Sequence, residues 1–212
     1  GTTALRAKNV IYVGATDAQG VLAPFSSCGP QDDGRLFPTV VARGVDVLST
    51  TPLGTHRTMD GTSMACPLVT GHLALLQERY QQLHRGAEIR SDLLRAVVAN
   101  TADDAGRPGP DFQYGYGILN AERAARALEN GYYTVGKLGH KESATLTLRV
   151  PRECSGLRVM LAWNDAASSK DVAYGSPVLI NDLDMQVLVD RTPYHPWVCQ
   201  HQKGQVEAVA SR

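Results

Sequence analysis

The stretch Gly61-Thr62-Ser63-Met64-Ala65-Cys66-Pro67 constrains this chain more than any other, because it opens a run with no polar side. Met64, Ala65, Cys66, Leu68, Val69, Leu73, Ala74, Leu75 and Leu76 would ring a helix with apolar groups through its first turns. Such a helix belongs inside a core. From Gln77 onward, Glu78, Arg79, Gln81 and Gln82 bring its far end to water. Gly61 lets the chain turn into the helix, Thr62 is placed to cap it, and Pro67 falls early enough to be tolerated. A helix start carries the positive end of the dipole and unpaired backbone N–H groups. A serine fixed there suits attack on a carbonyl, since those N–H groups can hold a developing oxyanion. The plainer reading is that Ser63 caps a core helix, as serine often does.

The whole sequence is consistent with a helix that has something to be buried in. At 212 residues it can form one large domain or two small ones. Its 43% hydrophobic and 20% charged residues are those of a soluble globular protein. Lys plus Arg equals Asp plus Glu at 21 each, so no basic excess exists to neutralise nucleic-acid phosphates or anionic lipids. No apolar run approaches the ~20 residues of a membrane span. The chain begins Gly1-Thr2-Thr3 with no secretory signal, which reads as a processed product or a piece of something longer.

The apolar and turn patterns divide the chain near Gly131. Before it, Asn9–Ala15, Phe37–Ala42 and Val45–Ser49 read as strands. A long helix is expected over Ser63–Leu83, a second capped by Ser91, and a third over Asn120–Leu128. Strands alternating with helices predict a parallel, helix-covered sheet over residues 1–131. After it, Tyr132–Leu138, Ser143–Val150, Leu157–Asn164, Leu183–Asp190 and Pro196–Gln200 read as strands, with polar and apolar residues alternating over 143–150. Residues 132–212 are therefore expected to form an antiparallel β-sandwich, short of the eight strands of a jelly roll. Cys66 reads as a buried free thiol and Cys28 as a structural residue of a turn. A Cys154–Cys199 bridge would close a loop of about 45 residues, worth roughly 4 kcal/mol, and would imply an oxidising compartment.

Residues 61–71 resemble the nucleophile signature of the subtilisin-like serine proteases: Gly-Thr-Ser-Met-Ala, a small residue, Pro, often His, Val, a small residue, Gly. Ten of eleven positions match, Leu68 being the departure. Lys8–Ala15, the Phe25-Ser26-Ser27-Cys28-Gly29 turn, Val41-Ala42-Arg43-Gly44 and Tyr114-Gly115-Tyr116-Gly117 with Asn120 and Ala121 resemble further family segments. Arg43 replaces the proline of one of them. Leu161–Asp165 and Leu179–Asp184 resemble the β-sandwich that follows the protease domain in a bacterial subset of the family. The resemblance implies the C-terminal part of a three-layer α/β catalytic domain with a parallel sheet, followed by a jelly-roll-like sandwich. It implies a secreted or periplasmic serine endopeptidase acting on peptides or proteins. Ser63 would form the acyl-enzyme, with Thr62 supporting the oxyanion site.

A serine hydroxyl needs a base, usually His, and a group that orients the base. In the family both lie upstream of the serine, as does the Asn oxyanion donor. No matching motif precedes Ser63 here, so an N-terminal half of the protease domain is the expected partner. His56 lies seven residues before Ser63, and His72 lies about 13 Å of helical rise beyond it. His84, His140, His195 and His201 sit in polar or strand-like segments. The alternative reading is a non-catalytic, pseudoprotease-like binding chain. A third, a purely structural sandwich, leaves the serine motif unexplained. No cofactor is needed for the chemistry. Asn164, Asp165, Asp171, Asn181, Asp182 and Asp184 are hard oxygen donors of the kind calcium selects, with Asp165, Asp182 and Asp184 as the candidate ligands. Turn-forming Asn and Asp account for the same residues.

Overall fold

A computed structural model describes residues 7–168, 175–202 and 205–210. Strands β1 (Val13–Thr16) and β2 (Val40–Arg43) pair in parallel, Ala15 opposite Ala42. Residues 117–119 run along the other side of β2, with the Val41 N–H donating to the Gly117 carbonyl and the Leu119 N–H to the Val41 carbonyl. Both strands are short, β-branched and buried, as central strands of a helix-covered sheet must be. Strands alternate side-chain direction, so one face of the pair carries Val40, Ala15 and Ala42. Gly14 and Val41 point the other way, toward Ser26 and Pro38.

Three helices share the core on the first face. They are α1 (Thr62–Leu83), α2 (Ser91–Thr101) and α3 (Ala121–Glu129). Ala65 and Val69 of α1 meet Ala15, Ala23 and Ala42. Further along, Leu76 joins Val40, Leu93, Val97, Val98, Ala124 and Leu128. The small residues lie where helix and sheet approach most closely, and the large ones where the helices diverge. Asn120 caps α3 by accepting the Arg123 N–H.

Several expectations need correction. Thr62 does not cap α1; it is the first helical residue, and Gly61 holds the cap position without a side-chain bond. Ser91 likewise begins α2 rather than capping it, and its hydroxyl pairs with Asn164 instead. Pro67 lies beyond the first turn, so the Ser63 carbonyl lacks its i+4 N–H donor. Helix α1 is not buried all round. Cys66, Pro67, Thr70, Gly71, Ala74 and Leu75 form one exposed stripe. Only one sheet face is covered by helices among the described residues.

The second part departs further. Among the described residues from 132 to 186 there is no strand. Pairing is confined to two antiparallel hairpins, β5 (Val187–Val189) with β6 (Thr192–Tyr194), and β7 (Trp197–Gln202) with β8 (Gln205–Ala210). Among the described residues the expected sandwich is not assembled. Alternation marks which side of a strand could be buried, but ladder partners decide whether a strand exists. Leu146, Leu148 and Val150 are exposed, with no sheet opposite them. The Cys154–Cys199 bridge that the sequence would allow is not formed, both thiols being free. The Cys154 thiol donates to the Gly156 carbonyl, while the Cys199 thiol lies 3.6 Å from the Pro110 carbonyl. Cys66 is free as expected, but exposed. Among the described residues no helix is long and apolar enough to cross a membrane.

Candidate active site

The approach to Ser63 is a hairpin and two close backbone contacts. Strand β3 (Val47–Thr50) pairs antiparallel with β4 (His56–Met59). The sequence reading assigned β3 and missed β4. Its residues His56, Arg57 and Thr58 are polar, and only the Pro52-Leu53-Gly54 turn before them could have marked the return. The base of the hairpin is tied by Asp60, whose carboxylate accepts the Asp46 N–H at 2.7 Å. The Arg43 guanidinium donates to the carbonyls of Val45 and Asp46. Arg43 thus braces with its side chain the turn where the family pattern has proline.

Gly44 and Gly61 then set the serine. The Gly44 N–H donates to the Thr16 carbonyl at 2.8 Å, and the Gly61 N–H to the Gly44 carbonyl at 2.7 Å. A Cβ at Gly44 would stand 2.6 Å from the Gly61 carbonyl oxygen and 2.7 Å from the Ala15 Cβ. Gly61 adopts φ +150°, open to glycine and strained for other residues. The sheet end, Gly44 and the helix mouth are thereby joined in one backbone relay.

Ser63 stands exposed in the first turn of a 22-residue helix. The Met64 N–H turns back to the Gly61 carbonyl at 3.0 Å. The N–H groups of Thr62 and Ser63 precede the first intrahelical bond and face outward with the dipole behind them. Among the described residues, no side chain hydrogen-bonds the Ser63 hydroxyl. His56 lies at the far end of β4, about 10 Å of strand rise beyond Met59. The His72 ring is held by the Leu68 carbonyl at 2.8 Å. His84 Nε2 pairs with the Tyr133 hydroxyl at 2.7 Å. None of these imidazoles serves Ser63.

The candidate cation ligands are not brought together. Among the described residues no three His, Cys, Asp or Glu side chains form a metal cluster, and Asp171 lies outside them. Asp165 is instead fully engaged. Its Oδ2 accepts from the Lys8 ammonium at 2.6 Å and the Ile180 N–H at 3.0 Å. Its Oδ1 accepts from the Asn181 N–H at 2.8 Å and side-chain amide at 3.0 Å. Burial alone would raise the Asp165 pKa. The Lys8 bond and the Ile180 and Asn181 donors outweigh it and hold the carboxyl well below the usual carboxylate range.

The model of the subtilase family matches residues 3–117. Subtilisin DY of Bacillus licheniformis is 38% identical over 118 residues, which are 56% of this chain and 38% of that protein. Bacillopeptidase F of Bacillus subtilis is 34% identical over 119 residues, 56% of this chain and 8% of its own length. Among solved structures, the CspB protease of Clostridium perfringens superposes with a TM-score of 0.52 at 30% identity. That match covers 57% of this chain and 27% of the CspB chain. The chain thus spans well under half the length of these relatives.

Proposed function

This chain belongs to the subtilase family, and on that premise we propose that it carries the nucleophile of a serine endopeptidase. Ser63 attacks the scissile carbonyl while its proton passes to a base from outside these residues, and it becomes acylated as the C–N bond breaks and the amine leaves with that proton. Its own backbone N–H holds the oxyanion, and Thr62, beside it in the first turn, supports that contact. Water then releases the acyl group. The observation that carries this reading is the Ser63 hydroxyl, exposed at a helix mouth that the Gly44–Gly61 relay fixes.

The activating Asp, His and Asn come from outside these residues, in an N-terminal half of the catalytic domain. Two observations support that assignment. No imidazole hydrogen-bonds Ser63 among the described residues, and α1 leaves an apolar stripe from Cys66 to Leu75 uncovered. Subtilisin loses about 10⁶ in turnover with its base and about 10²–10³ with its Asn donor. The chain alone is therefore expected to be inert toward peptides.

The test is a fluorophosphonate probe, which labels serine only beside a working base. Labelling of the whole protein that vanishes in Ser63→Ala supports the endopeptidase. No labelling of the whole protein points instead to a non-catalytic binding chain that keeps the scaffold.

A further inference from the structure

Lys8 reaches across the molecule to a place built of oxygen. Its ammonium donates to Asp165 Oδ2 at 2.6 Å, to the Val178 carbonyl at 2.7 Å and to the Ala166 carbonyl. Three donors meet three acceptors, so the ammonium is satisfied without water. The Lys8 and Asp165 side chains are only 11% and 4% exposed. Asp165 is also held in place by groups other than Lys8. Asn9 exchanges two hydrogen bonds with the Asp165 backbone, and Ile180 and Asn181 orient the carboxylate. The carboxylate therefore keeps its place without Lys8, with Ala166 next to it in the chain and Val178 two residues from its Ile180 donor.

We propose that the Lys8 ammonium is a tethered cation in a preformed oxygen cage, Asp165 Oδ2 with the carbonyls of Ala166 and Val178, and that removing it opens a site for a hard metal cation. A carboxylate and two backbone carbonyls are the donors calcium takes, with water completing the shell. A buried carboxylate that keeps its N–H donors but loses its cation is costly, so the emptied site around Asp165 favours positive charge. The protein meets by a side chain the need that the Asn and Asp residues around position 165 suggest should be met by calcium. Lys8 precedes β1 and Asp165 lies beyond α3, so the same cation also ties the start of the described chain to the segment that follows α3.

Lys8→Ala in the full chain is the test, read by melting temperature with chelator and with millimolar calcium. Terbium luminescence gives a second readout, sensitised by Trp163, whose indole N–H donates to the Asn181 carbonyl beside the cage. The variant is expected to melt lower than the parent in chelator and to recover by about 5 °C with calcium. It should gain a terbium signal that the parent lacks and that Lys8→Ala/Asp165→Asn loses. A variant with no calcium shift and no terbium signal overturns the proposal, as does a parent that responds equally. If Lys8→Ala is unfolded in chelator, recovery of its helical circular dichroism by calcium supports the cage, and failure to recover overturns it.

Discussion

At the scale of single residues, two glycines do what no side chain could. Gly61 holds a backbone conformation costing other residues about 1–3 kcal/mol, and Gly44 has the Gly61 carbonyl where its Cβ would be. Gly44→Ala must push the helix mouth away from the sheet end. It is expected to lower the melting temperature and, in the whole protein, to reduce fluorophosphonate labelling of Ser63; unchanged labelling would contradict the relay. Asp165 gives a pH prediction. Its carboxyl is held below its ordinary range in the fold, so the ionised form is the stabilising one. That contribution is complete above the unfolded value of about 3.9 and is lost as pH falls toward the folded value. Asp165→Asn is expected to lower stability at neutral pH and to flatten its decline below about pH 4, measured by urea melts across the acid range. An equally steep acid limb would count against it.

At the scale of elements, α1 is a helix with one side in a core and the other, among the described residues, without a partner. Gly71 lies on that open side with nothing near a Cβ position. Gly71→Ala is expected to stabilise this chain by about 0.5–1 kcal/mol through helix propensity. In the whole protein the same methyl would press on whatever covers the stripe. A gain in the melt of the chain, with a loss in the melt of the whole protein, is the expected pair of results. A gain in both would show the stripe to be a true surface. The elements also show what the sequence reveals. Helices α1, α2 and α3 were legible from apolar spacing and from Asn120 and Gly131 at the last one's ends. Strand β4 was not, because an exposed ribbon carries no apolar alternation. The strands expected over 132–164 had alternation but no partners, a property of other segments that no local pattern contains. Ser63 stands out in the sequence because its motif is a string of adjacent residues, and the Lys8–Asp165 pair does not, because its members are 157 residues apart.

At the scale of the molecule, residues 158–166, with Val178, strap the first part of the chain. Arg158 donates to the carbonyls of Asn100 and Ala102 at the end of α2. Arg95 of α2 donates to the Trp163 carbonyl and Asn164 side chain. Ser91 and Lys8 complete the row. The chain cut after Gly131 is expected to lose about 2 kcal/mol or more, read as a melting drop of about 5–10 °C. An unchanged melt would make residues 132–212 a separate module. The boundary near Gly131 is then a change of texture along the sequence, bridged in space by polar bolts.

The hairpin ahead of Ser63 has one further consequence. Leu53 at its tip is fully exposed and, with Gly54, takes a left-handed turn away from the body. Exposed loop tips are where proteases nick folded chains. A nick at Leu53 would leave the β3–β4 ladder and the helix core to hold the two pieces together. The damage would first be visible on a denaturing gel, while the native particle kept its size.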